Sequence, residues 1–231
     1  MNLFALKIVL ARGFLSAALV AAGGVSHAAQ TTKAPVAVTR LVPVQGSQTA
    51  PNRVGVLLFF NFTPASKALI GRLVTWAGGV GQTVVLDREP LVGDDPAVLA
   101  RAFIVSRTLG VTASVLPALF ELGANRPDMK TMSYADKQKE TKKLRAAVAG
   151  IFANVGIVGI EFNAAWHSKA TDNGMVRARV LSERYGMKQA PALIVNGIWK
   201  LTPEAGASSA DVLAALDRKV GAAVAQITAN Q

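Results

Sequence analysis

The sequence predicts an α/β fold in which a strand–helix–strand half and a strand–strand–helix half are separated by a block of helices. Three observations predict it. RVGVLLFFNF (53–62) is short, β-branched and aromatic, and it runs directly into a segment of helical periodicity. APALIVNGIWKLTP (190–203) places two short apolar runs around Asn196-Gly197, the strongest short-range hairpin signal. Between them, apolar residues recur at helical spacing and no strand pattern appears. With 231 residues, 51% hydrophobic and 17% charged, the chain can bury a core of its own, sufficient for one domain carrying an insertion.

The elements follow in order. Residues 29–50, rich in Ala, Thr, Gln, Val and Pro, read as an extended lead-in with one edge strand. After the 53–62 strand, Thr63 suits a helix N-cap, where its hydroxyl would accept a backbone N–H. Pro64 suits the first helical position, where a missing N–H costs nothing. Ala68, Leu69, Leu73 and Trp76 form the expected apolar stripe, and Gly78-Gly79 the expected stop. TVVLD (83–87) is a second strand, parallel to the first across the helical crossover. Helices are expected at 94–110, opened by Asp94-Asp95 as a cap, and at 114–125, interrupted near Pro117. Further helices are expected at 133–156, 159–170 and 173–186, and at 208–227 after the hairpin. A domain of this order is thioredoxin-like. The expected division is 51–93 and 171–231 for that domain and 94–170 for the helical insertion.

The N-terminus has three parts. MNLFALKIVLAR carries Lys7 and Arg12 and no acid, GFLSAALVAAGGV (13–25) is apolar, and Ser26-His27-Ala28 ends in a small residue. That is the pattern of a secretory signal peptide cleaved after Ala28, and its apolar run is too short to span a bilayer comfortably. The expectation is therefore export to the periplasm, with no stable membrane span once the signal is removed. Exported proteins meet an oxidising compartment, where disulfides are usual. This one contains no cysteine.

A formal charge of +11 raises the question of nucleic acid. The basic residues are dispersed, apart from DKQKETKKLR (136–145), which mixes signs at helical spacing and lacks interleaved aromatics. It reads as an exposed helix face, and no nucleic-acid partner is expected. No cofactor and no metal are expected either. His167 would be the one histidine left after cleavage, and there is no cysteine to join it. Asn61-Phe62-Thr63 fits a glycosylation sequon, but at a buried strand end it reads as coincidence. Trp76, Trp166 and Trp199 read as core or groove aromatics.

Three stretches together resemble the DsbA family of periplasmic thiol oxidoreductases. FFNFTPAS (59–66) resembles the strand-to-helix segment that carries that family's Cys-Pro-His-Cys. IFANVGIVGIEFNAAWHS (151–168) resembles the stretch in which an Asn-x-Gly turn precedes an acidic residue and Ala-Ala-Trp. APALIVNGIWKL (190–201) resembles the segment with a cis-proline followed by a Val-Asn-Gly hairpin. The centre departs from the family. Thr63 and Ser66 flank Pro64-Ala65 where two cysteines would stand, an alignment one residue shorter after the Phe pair. An ungapped alignment places Pro64 and Lys67 there instead.

Disulfide exchange needs a thiolate that attacks sulfur and leaves again. A hydroxyl at a helix N-terminus neither ionises in that field nor forms a mixed disulfide, so the dithiol cycle is impossible for this chain. The resemblance implies that the other half of such a site survives. Ala190, before the expected cis-proline Pro191, would offer its backbone to an extended peptide or unfolded secreted protein. On that reading Thr63, Pro64, Ala65 and Ser66 form a degenerate motif without catalytic role, and Ala190 and Pro191 bind substrate. Two other classes stay open. One is an enzyme resembling the kappa-class glutathione transferases, with Thr63 or Ser66 stabilising a bound thiolate. The other is a structural remnant with no ligand.

Overall fold

The computed structural model describes residues 36–42, 53–92, 97–129 and 131–229. The expected signal peptide, most of the lead-in and the Asp94-Asp95 cap lie outside them. Among the described residues no helix is long and apolar enough to cross a membrane.

Five strands form one sheet: β1 (Val36–Arg40), β2 (Val54–Phe60), β3 (Val84–Pro90), β4 (Ala192–Val195) and β5 (Trp199–Pro203), in the order β1-β5-β4-β2-β3. β2 and β3 pair in parallel with Val54 opposite Val84, and the other pairs are antiparallel. The lead-in contributes the edge strand β1. One face of β2 presents Val54, Val56, Leu58 and Phe60 to helices α1 (Pro64–Val80) and α7 (Ser209–Ala229), whose Leu69, Leu73, Val212 and Leu216 complete that core. Phe59 and Ile194 face the other way, onto Tyr185 and Met187. Burial on both faces explains why β2 reads as an unbroken apolar run rather than an alternation.

The hairpin between β4 and β5 turns through Asn196 (φ 50°) and Gly197 (φ 68°), the positive pair that a two-residue turn requires. The turn is also fastened to β2. The Gly55 N–H donates to Asn196 Oδ1 (2.7 Å), and the Asn196 N–H donates back to the Gly55 carbonyl (2.8 Å).

Between the two halves lie α2 (Val98–Thr108), α3 (Thr112–Ala124), α4 (Tyr134–Ala153), α5 (Gly159–Trp166) and α6 (Lys169–Arg184). The helices α2 to α5 enclose their own core of Ala102, Val105, Leu119, Val148, Phe152 and Trp166. The basic stretch on α4 faces solvent apart from the buried Leu144. The fold is thus a mixed α/β structure with a thioredoxin-like sheet and a helical insertion.

Three local expectations are corrected. Gly78 and Gly79 do not stop α1, which continues to Val80 and ends at Gly81 (φ 70°). Each glycine costs a helix about 1 kcal/mol, and packing of Trp76 and Val80 against the core offsets it. The stripe on α1 is Ser66, Leu69, Ile70 and Leu73, while Ala68 is exposed. Nor does Pro117 interrupt α3. Pro117 and Ala113, whose carbonyl loses its helical donor, both face solvent, where water replaces the bond.

Helices α2 and α6 are tied to the sheet by a buried carboxylate that sequence reasoning did not single out. Glu89 on β3 is fully buried. Its Oε1 accepts Arg107 Nη1 of α2 (3.0 Å) and Arg177 Nη1 of α6 (2.5 Å), while Asp87 Oδ2 accepts Arg177 Nη2 (2.7 Å). Glu89 Oε2 has no hydrogen-bond partner. Burial pushes the Glu89 carboxyl above the ordinary range, against the opposing pull of Arg107 and Arg177. A carboxyl raised in the folded state contributes stability that is complete below its unfolded pKa and is lost as pH rises through the folded value. The unfolding free energy, measured in urea from about pH 4.3 upward, should therefore fall with pH partly through this group. Glu89→Gln should flatten that slope. An identical slope in both proteins would show that Glu89 does not titrate in this window.

Candidate functional site

The junction from β2 to α1 is built around one side chain, Asn61. Thr63 is the N-cap residue of α1, with extended backbone (φ −106°, ψ 159°), and Pro64 begins the helix. The first backbone bond runs from the Lys67 N–H to the Thr63 carbonyl (3.0 Å). The capping expectation is half corrected: Thr63 occupies the position, but its hydroxyl caps nothing. It donates instead to Asn61 Oδ1 (2.6 Å). Ser66 Oγ donates to the same oxygen (2.8 Å) and accepts the Asn61 N–H (3.3 Å). Ser66 is fully buried, whereas Pro64 and Ala65 are exposed.

This arrangement decides what the hydroxyls can do. Both protons are held by an amide oxygen, which is no general base, so neither oxygen is activated as a nucleophile. Neither proton is turned toward a ligand, which removes support from a thiolate-stabilising role. Among the described residues no three His, Asp or Glu side chains group as a metal site would need.

The helical block presses on the same junction. Phe62 packs against both the sheet core and the helical core. Gly123 of α3 lies so close that a Cβ there would be 2.4 Å from Phe62 Cβ and 2.7 Å from its carbonyl oxygen. Lys67 and Glu121 form an ion pair from α1 to α3 beside it.

On the other side of α1 opens a cleft of about 580 Å³. Ala65 and Leu69 of α1 line one wall, Ala190 and Pro191 another, and Val212 of α7 contributes to the floor. The Ala190–Pro191 peptide is cis. Of residues 63–66, then, Ala65 shares the cleft with Ala190 and Pro191. Thr63, Pro64 and Ser66 do not line it. The tryptophans lie elsewhere. Trp166 is buried in the helical block with Arg101 and Arg145 over its ring, and Trp199 carries Lys219 Nζ at 3.8 Å from its centroid. His167 ends α5 beside Arg145 (3.0 Å), outside the cleft. Asn61 was legible only as an Asx residue two and five positions before hydroxyls, a pattern that turns use.

A thioredoxin-like sheet with helices inserted between its halves, and a cis-proline beside the first helix, define the class. No family model matches the chain. Over 114 residues it is 28% identical to the thiol:disulfide interchange protein DsbA of Escherichia coli, 48% of each chain. Over 115 residues it is 26% identical to the protein of that name from Salmonella typhimurium, 49% of each. The chain thus spans about half the length of the curated relatives it matches. Among solved structures it is similar to Pseudomonas aeruginosa DsbA, with a TM-score of 0.65 and 23% identity over 83% of this chain and 94% of that one. The oxidoreductase DsbA from Xylella fastidiosa gives 0.61 and 20%, over 77% and 90%. The chain is thus similar in sequence to DsbA proteins over about half its length and shares their fold, and it has no cysteine.

The Asn61 hub carries its own test. Asn61→Ala leaves the buried Ser66 hydroxyl without its acceptor and should cost about 1–3 kcal/mol of stability. Thr63→Ala removes one partly exposed bond and should cost about 0.5–1.5 kcal/mol. Urea unfolding checks both, and equal losses would mean that Asn61 does not hold the two hydroxyls together.

Proposed function

We propose that this chain is an exported, non-catalytic member of the DsbA-like class that holds extended segments of other proteins in the cleft beside Ala190–Pro191. The observation that carries the proposal is that the cleft survives where the chemistry does not. Its walls bring Ala65, from the degenerate motif, together with Ala190 and Pro191, and they are largely apolar. An extended segment can pair its backbone with the chain at Ala190 and bury side chains over Leu69 and Val212, none of which needs sulfur. Export is supported by the signal-like residues 1–28, and the client is then an unfolded or secreted protein of the periplasm. Affinity should be weak, since ordering a flexible peptide consumes much of the contact energy.

The test is direct binding of a fluorescein-labelled, extended apolar peptide. Ala190→Trp fills the cleft at its entrance and should reduce affinity at least about tenfold, the loss of about 1.4 kcal/mol. Circular dichroism should show the fold retained. Unchanged affinity would place the peptide elsewhere and overturn the proposal. A test of the neighbouring helix start, which meets the cleft through Ala65, comes from Thr63→Cys. A thiol at this helix N-terminus should ionise below the ordinary cysteine value of about 8.5. Its thiolate should then attack the disulfide of a disulfide-bearing client, releasing one client thiolate and leaving a mixed disulfide that mass spectrometry identifies. Failure to react with a small disulfide reagent would show the junction closed to ligands.

A further inference from the structure

We infer that the open edge of β1 takes up, as a sixth strand, an extended segment of another protein in which an acidic residue has an apolar residue two positions away on each side. The inference does not rest on the cleft reading. It concerns the edge of the sheet, and β1 meets the cleft only through Ala37. β1 lies at the end of the sheet and pairs with β5 alone. Just past the strand, the Leu41 N–H donates to the Ile198 carbonyl (2.6 Å). Main-chain groups of a strand point to alternate sides from one residue to the next, so Ala37, Thr39 and Leu41 turn theirs toward β5. Val38 and Arg40 therefore turn their N–H and C=O groups away from β5, and among the described residues none meets them.

A free edge is a template for pairing, and proteins usually blunt it with charge, proline or a covering element. The opposite edge is blunted in this way. β3 carries Asp87, Arg88 and Glu89, it ends in Pro90, which has no N–H, and Arg107 Nη1 reaches the Arg88 carbonyl (3.5 Å). β1 (VAVTR) has no proline and no acid, and its one charge is Arg40. Val38 is 39% exposed and Val42 85%, and they stand two residues to either side of the exposed Arg40.

Charge decides the occupant. The Arg40 guanidinium lies 5.7 Å from the centroid of the Trp199 ring, and Lys219 Nζ lies 3.8 Å from the same ring. Neither cation has a carboxylate partner among the described residues. An acid placed opposite Arg40 on an added strand meets both, and its neighbours two residues away fall opposite Val38 and Val42. A second copy of this chain fits less well. Pairing β1 with β1 antiparallel about Val38 sets Arg40 opposite Val36, which leaves both guanidinium groups unpaired. It also joins two chains of formal charge +11. An acidic segment satisfies Arg40 and lowers the net charge of the complex.

The test uses labelled, end-blocked peptides of alternating Thr and Val whose central residue, two positions from a Val on each side, is Glu, Gln or Lys. They are titrated against the full chain by fluorescence anisotropy. The Glu peptide should bind about threefold more tightly than the Gln peptide, the scale of an exposed ion pair, and the Lys peptide should bind weakest. Val38→Pro removes one outward N–H and none of the bonds to β5, a place where edge strands tolerate proline. It should weaken all three peptides at least about tenfold, while circular dichroism shows the fold retained. Arg40→Glu, on an exposed side chain, should reverse the order of the Glu and Lys peptides, and it serves as the second variant should Val38→Pro fail to fold. Equal binding of the three peptides, binding of none, or an order that Arg40→Glu leaves unchanged would overturn the inference. If Ala190→Trp and not Val38→Pro removes binding, the peptides lie in the cleft, so the edge reading falls and the cleft reading stands. A dimer in sedimentation that Val38→Pro dissociates would assign the edge to a second copy, which also overturns it.

Discussion

Phe62 is the constraint around which the molecule is assembled. β2 must end and α1 must begin within three residues, at the point where the inserted helices meet the sheet. Phe62 fills that point and belongs to both cores. Its ring lies 5.4 Å from those of Phe60 and Phe120, and Phe60 lies 4.9 Å from Phe103. These are tilted and edge-on contacts, the arrangement that aromatic quadrupoles prefer. The absent side chain at Gly123 lets α3 close over the junction. With Phe62 fixed, Asn61 is placed to gather Thr63 and Ser66, and Ala65 is placed on the cleft.

The charged groups tell a second story about the same seam. A chain without disulfides has burial as its main source of stability. Yet one carboxylate, Glu89, is completely buried at the boundary between sheet and helices. Its two arginines come from α2 and α6 and remain partly exposed, so their own desolvation is incomplete. A buried ion pair of this kind is weak evidence for stability. What it does provide is a definite register: β3, α2 and α6 can satisfy Asp87 and Glu89 only in one relative position. Gly174 against Ile104 imposes the same fit by shape.

At the junction, the polar groups close on one another. A thiolate at a helix N-terminus is useful because it is both stabilised and accessible. Here the deeper hydroxyl is buried, and both hydroxyl protons are committed to Asn61. The cleft on the other side of α1 needs none of that chemistry. Its character depends on small residues, Ala65 and Ala190, and on the apolar Leu69 and Val212.

The sequence by itself determined the elements whose signals are local. Apolar runs marked β2 and β4, Asn196-Gly197 marked the hairpin because both residues tolerate positive φ, and Pro64 marked the start of α1. It also determined the absence of dithiol chemistry, which composition alone decides. Tertiary structure decided whatever depended on distant partners. Gly78-Gly79 and Pro117 carry local penalties of one to a few kcal/mol, and only packing and solvent exposure reveal that those are absorbed. The Thr63 hydroxyl had a local use as a cap, and Asn61 offered it a better acceptor. Glu89 lies two residues beyond the 83–87 strand that the sequence predicts, and only the structure shows Arg107 and Arg177 meeting at it. Ala190 and Ala65 lie far apart in the chain and become one cleft only because β4 pairs with β2 and brings Pro191 beside α1.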